Sequence, residues 1–163
     1  MTGPHRGFTM LELMAVVAVI GILAVLAIPS YMERVVRDQV KAALPLADIA
    51  KPPIAQAWVV AGEFPKDNAA AGLPVPEKIV SNYVSSVAVR NGAIQMTFGN
   101  HASTTISGKM LSIRPAVVED APIVPIAWVC GNASAPDNMK VFGENLTNIP
   151  DALMPFECRT SKR

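Results

Sequence analysis

From Leu13 to Ile28 the chain carries no charged or strongly polar side chain. Leucine, isoleucine, valine, methionine and alanine fill the stretch, and only Gly21 interrupts it. Taken back to Phe8 as one helix, the segment is about 31 Å long at ~1.5 Å per residue. That length matches a bilayer core of about 30 Å. A helix packed at the surface of a soluble domain is apolar along one stripe, whereas one apolar all round is buried in a membrane or a large core. One acid contradicts this apolar character. Glu12 sits one turn in from Phe8, behind a short polar leader containing His5 and Arg6. A carboxylate is costly in lipid and normally has a partner there, so a functional role is the first explanation to consider.

The residues around this acid, Gly7-Phe8-Thr9-Met10-Leu11-Glu12, resemble the prepilin signature of the type IV pilin family. That signature is a glycine, then phenylalanine or methionine, then T-L-x-E with an apolar run behind it. Met10 stands where leucine is commoner. The resemblance implies cleavage by prepilin peptidase between Gly7 and Phe8, with N-methylation of the new amino terminus on Phe8. It places Glu12 fifth in the mature chain and Pro29 where the family has a proline that loosens the helix. In a filament, the cationic amine of Phe8 on one subunit would lie beside Glu12 of a neighbour. Removing one member of a buried ion pair costs about 3–5 kcal/mol, so Glu12 would help set subunit register. Two plainer readings stand beside this one. Val25-Leu26-Ala27 resembles a weak signal-peptidase site, but Glu12 would then interrupt the apolar region of the signal. A simple single-pass anchor explains the length but neither Gly7-Phe8 nor Glu12.

The 163 residues and 51% hydrophobic content fit one domain plus an anchor. The net charge is +1, and loss of residues 1–7 would remove Arg6 and leave the chain formally neutral. Such a balance gives neither a strong nucleic-acid footprint nor a polybasic membrane patch. Two cysteines, Cys130 and Cys158, on an exported domain indicate one disulfide, with two free buried thiols as the alternative. The resemblance favours the disulfide, because pilins commonly close a C-terminal loop this way. Closure would contribute roughly 3–4 kcal/mol in the chain-entropy treatment.

Behind Pro29 the pattern becomes amphipathic. Met32, Val35, Val36, Val40, Ala43 and Leu44 recur at helical spacing, continuing through Leu46, Ile49, Ile54, Ala57 and Trp58. Gly62 ends the pattern and Pro65 follows. One helix from about Phe8 to Ala61 is therefore expected, with a kink or short break near residues 51–53 where Pro52 and Pro53 fall. Pro45 also lies inside it. A helix stopping near Ala50 and restarting at Pro53 is the competing arrangement. Residues 62–82 are punctuated by glycine and proline and read as a loop, with Phe64 packed under a sheet edge. Strands are expected at 83–89, 93–98, 109–115 and 123–130, the first pair joined at Asn91-Gly92, a strong hairpin signal.

The expected fold is α+β: a long N-terminal helix on a four-stranded antiparallel sheet, with a C-terminal disulfide-bonded loop. Its segments are a leader (1–7), an apolar transmembrane or filament-core helix (8–28), an amphipathic helix (29–61), an αβ-loop (62–82), and sheet plus disulfide loop (83–163). The segment between the cysteines reads as a solvated loop. It contains two N-glycosylation sequons, Asn132-Ala-Ser134 and Asn145-Leu-Thr147, and Ser161 is a candidate O-glycan acceptor.

No catalytic constellation, phosphate loop, zinc spacing or cofactor motif is present in the sequence, so an enzyme is not expected. His101 reads as a surface residue, and Trp58 and Trp128 read as core. The resemblance implies partnership with other pilin subunits, with prepilin peptidase and with the bacterial inner membrane before assembly into an extracellular pilus. The filament would serve adhesion, twitching motility or DNA uptake. Alternatives are a DNA-receptor minor pilin, which needs Arg90, Lys109, Arg114, Lys140, Arg159, Lys162 and Arg163 to converge, or a type II secretion pseudopilin.

Overall fold

A computed structural model describes residues 7–160, apart from the side chains of residues 28–30. The leader residues 1–6, Ser161, Lys162 and Arg163, and the loosening expected at Pro29 therefore lie outside the described residues. The chain divides into two compact units, one ending at Arg34 and one beginning at Val35.

The first unit is the apolar stretch. Helix α1 (Met10–Ala43) starts here, and every described side chain from Phe8 to Ala27 is exposed. Leucine, methionine and alanine favour a helix, the β-branched valines and isoleucines tolerate one, and nothing before Pro29 breaks it.

The second unit is built on one buried stripe. Val36, Val40, Ala43, Ala47, Ala50 and Ile54 are all buried and follow one another at alternating four- and three-residue steps. That spacing keeps one face of a 3.6-residue helix on the core. The stripe survives a change of helix type. A 3-10 segment (Leu44–Ile49) separates α1 from α2 (Lys51–Ala61). The break thus falls about a turn earlier than Pro52-Pro53, and the reason is positional. Pro45 would cost α1 a hydrogen bond and clash with the preceding turn, so the ladder tightens there. Pro52 and Pro53 lie in the first turn of α2, where the missing N–H groups have no helical acceptor in any case. Gly62 closes α2 in the left-handed region (φ 70°), its N–H reaching Trp58 O at 2.9 Å.

Five strands follow: β1 (Val84–Arg90), β2 (Ala93–Phe98), β3 (Met110–Val117), β4 (Ala127–Cys130) and β5 (Lys140–Val141). The order is β1-β2-β3-β4, all antiparallel, and β5 adds to β3. Asn91 (φ 48°) and Gly92 (φ 80°) make the β1–β2 turn, both in the positive-φ region a type I′ hairpin needs. Val87, Val89, Ile94, Met96, Leu111 and Ile113 present the inner face to the helical stripe in one core. Pro115 sits inside β3 but beyond its last pair with β2, Ile94–Ile113, so its missing N–H leaves no β2 bond unmade.

The segment between the cysteines is not simply a solvated loop. Gln95 Nε2 on β2 donates to Glu144 O (2.9 Å), and Leu146 N–H donates to Ser112 Oγ on β3 (2.8 Å). Thr147 Oγ1 and Asn148 Oδ1 then accept the Ser112 and Met110 N–H groups at 3.0 and 2.7 Å. Residues 143–146 thereby cross the outer face of the sheet, and 147–148 continue beside β3 where β4 has ended. This is why Gln95 and Ser112, polar and outward-pointing, are buried.

Candidate functional site

Two places carry the residues singled out above. The first is the start of α1. Gly7, Phe8 and Thr9 lie outside the helix. Thr9 is its N-cap: Thr9 Oγ1 accepts the Glu12 N–H at 3.2 Å, and Thr9 C=O accepts the Leu13 N–H at 3.1 Å. Glu12 is the acid of the first turn, where the helix dipole favours negative charge. Thr9-x-x-Glu12 is the capping-box pattern, a signal readable in the sequence although Glu12 stood out there only for its cost in an apolar segment and Thr9 only through the resemblance. Phe8 is 78% exposed and Leu11 79%. α1 continuing into the 3-10 turn is, by length and composition, long and apolar enough to cross a membrane. So broad an exposed apolar surface requires a covering partner.

The second place is the C-terminal loop. Cys130 and Cys158 form a disulfide with S–S 2.04 Å and Cα–Cα 4.5 Å, across a sequence separation of 28. Hydrogen bonds run alongside it. Asn132 N–H reaches Cys158 O (2.9 Å), and Arg114 Nη2 donates to Gly131 O (3.2 Å). Partial burial lowers the Arg114 pKa from its usual value. Asp151 collects the rest: Asn132 Nδ2 donates to Oδ1 at 2.8 Å and Thr160 N–H to Oδ2 at 3.3 Å. These bonds, the Asn132 side chain first, hold the Asp151 carboxyl below the ordinary aspartate range. Asn145 Nδ2 donates in turn to Asn132 Oδ1 (3.0 Å), so both sequon asparagines are engaged within the loop.

The scattered basic residues go largely into internal contacts. Arg114 serves Gly131, Lys140 pairs with Glu119 (2.6 Å), and Arg159 Nε donates to Met154 O (2.8 Å). Arg90 is exposed and Lys109 half-buried. His101 is exposed in the turn after β2, while Trp58 and Trp128 are half-buried rather than core. Trp58 stacks on Phe64 at 4.9 Å, and Phe142 packs against both rings. Among the described residues no group of three or more His, Cys, Asp or Glu side chains is placed to hold a metal.

An exposed apolar helical stretch followed by an α+β head closed by a C-terminal disulfide defines a head-and-helix protein. Comparison with known proteins gives the family. A model described as pilin (bacterial filament) matches residues 36–159, and a model of the prokaryotic N-terminal methylation motif matches residues 4–28. A fimbrial protein of Neisseria meningitidis serogroup B is 35% identical over 94% of each chain. A type IV major pilin protein PilE1 of Neisseria gonorrhoeae is 33% identical over 94% of this chain and 87% of its own. The fimbrial protein EcpC of Eikenella corrodens is 37% identical over 80% of this chain and 85% of its own. The chain belongs to the pilin family, whose members are structural subunits of bacterial filaments and not enzymes.

Proposed function

We propose that this chain is the major structural subunit of a type IV pilus, with processing and assembly both directed by its first thirty residues. Prepilin peptidase removes the leader after Gly7, Phe8 is N-methylated, and the subunit waits in the inner membrane as a single-pass protein. It then polymerises through its apolar helix into an extracellular filament used for adhesion, twitching motility or DNA uptake. The observation that carries this reading is one carboxylate, Glu12, in the first turn of α1, whose stretch from Met10 to Ala27 is otherwise apolar and exposed. In a packed core of such helices the Phe8 amine of one subunit neutralises Glu12 of another, and each charge then has a partner. Head-to-tail contact between two different surfaces of identical subunits gives an open filament when the rotation does not close a ring. The match to proteins named as type IV major pilins along most of the chain supports the assignment.

The test is the intact mass and N-terminal sequence of the protein taken from surface filaments of its native host. A chain beginning at N-methylated Phe8 and containing one disulfide is expected. A start at Ile28 would instead mean an ordinary secreted protein. An uncut start at Met1 or Thr2 would leave a tethered domain and remove the assembly reading.

A further inference from the structure

We propose that Thr9 is a positioning residue for leader removal: its hydroxyl ends the helix two residues short of the Gly7–Phe8 bond and so keeps that bond in open backbone. The inference rests on the reading that the chain is cut there. The helical ladder begins with Leu13 N–H on Thr9 C=O, and the Thr9 hydroxyl takes the Glu12 N–H. Residues 7–9 stay outside it.

Little else in the sequence holds the boundary at that point. Phe8 is compatible with a helix, and Gly7 is itself an acceptable N-cap. Replace Thr9 with a good helix former and the boundary moves back to Gly7. The first carbonyl of the ladder is then that of Gly7, accepting the Leu11 N–H. This is the carbonyl that hydrolysis must attack. Cleavage breaks the Gly7 C–Phe8 N bond. Water supplies a hydroxyl to the Gly7 carbonyl carbon and a proton to the Phe8 nitrogen, leaving a carboxylate and an amine. A carbonyl held in a helix must first be released. When opening and closing are fast, cleavage follows the population of the open form. The Thr9 cap thus keeps the scissile bond open and, through the same hydrogen bond, fixes the first turn that holds Glu12.

The experiment uses the full chain in detergent with purified prepilin peptidase, following loss of the leader by mass. Thr9→Ser and Thr9→Asn keep a capping oxygen and should be cut at close to the wild-type rate. Thr9→Ala and Thr9→Leu should be cut roughly three- to tenfold more slowly, the scale expected for one lost cap. Backbone chemical shifts at residues 8 and 9 should become helical in the two slow variants only. Wild-type rates for Thr9→Ala, or Thr9→Asn as slow as Thr9→Ala, would overturn the proposal while leaving the cleavage reading intact. The second outcome would mean that the peptidase reads the threonine itself. If the wild-type chain is not cut between Gly7 and Phe8, the cleavage reading fails and this proposal fails with it.

Discussion

Asn68 is a buried polar residue whose side-chain amide has its oxygen and both N–H groups partnered. Its Oδ1 accepts Val89 N–H at 2.6 Å, and its Nδ2 donates to Val87 O at 3.0 Å and to Pro74 O at 2.8 Å. It thus acts as a strand partner along the free edge of β1, tying the αβ-loop down and blunting an edge that could otherwise recruit another chain. Asn68→Ala should destabilise the head by about 1–3 kcal/mol, because Val89 N–H loses its partner in a dry site. Urea unfolding followed by the fluorescence of Trp58 and Trp128 measures it, and an unchanged midpoint would contradict the edge role. Nothing in the sequence separates Asn68 from the other turn residues around it, since its role depends on a strand about twenty positions away. Asp151 gives a prediction with a sign. Its carboxyl is held below the ordinary aspartate value by Asn132 and Thr160, so its contribution is fully present above that value. The contribution is lost as pH falls through the lower folded-state value. Asp151→Asn should therefore be less stable than wild type at neutral pH, and the gap should close in acid below about pH 4. A gap that persists undiminished in strong acid would mean that the side chain acts by packing and not by charge.

At the scale of elements, the β1–β2 hairpin and the αβ-loop hold each other in place. Asn91 and Gly92 donate backbone N–H groups to Lys66 O and Pro65 O at 3.1 and 2.9 Å. A Cβ on Gly92 would meet Phe64 Cγ at 2.7 Å, whereas Gly108, also at positive φ, has open space. Gly92→Ala should thus lose both backbone strain and the fit against Phe64, well over about 1 kcal/mol, and Gly108→Ala only the strain. Equal losses in a urea titration would dismiss the Phe64 contact as unimportant. The hairpin was legible because Asn-Gly dictates its own φ values and flanking alternation marks both strands. The helix was legible from its stripe, although Ala47 and Ala50 are buried while Ile49 is 52% exposed. Apolar size pointed to the wrong face there, because the buried stripe keeps its four- and three-residue steps through the 3-10 turn and leaves Ile49 off the core face. The fourth strand was expected from Ile123 but starts at Ala127, and Ile123 is 92% exposed. Its apolar run contains Pro125, which cannot donate to a ladder. The outer-face crossing by residues 143–146 left no periodic signal, being held by side-chain and backbone polar contacts with strands far away in the sequence.

At the scale of the molecule, the head is a satisfied domain and the apolar half of α1 is an unsatisfied one. The head buries its own stripe, makes its own disulfide and turns Arg37, Lys51, Arg114, Lys140 and Arg159 to internal contacts. The preceding segment exposes every described side chain from Phe8 to Ala27. That asymmetry was readable from the sequence, since an all-round apolar helix has no polar face to give to water. What occupies the other side of the helix was not, because a single chain does not contain it. Lipid and neighbouring helices both satisfy leucine and valine, but they differ in what they offer Glu12. Lipid gives a carboxylate no counter-charge, whereas the amine that the proposed cleavage would leave on Phe8 of a neighbour would give it one. Glu12→Ala makes the segment more apolar, so it should leave membrane insertion intact while sharply reducing filament yield. Fractionation of cells expressing the variant should recover the full subunit in the inner membrane, and electron microscopy of sheared surface material should find few filaments. Abundant filaments of normal length from that variant would mean that the apolar helices find register without the charge pair. Glu12 would then owe its place to the capped first turn alone.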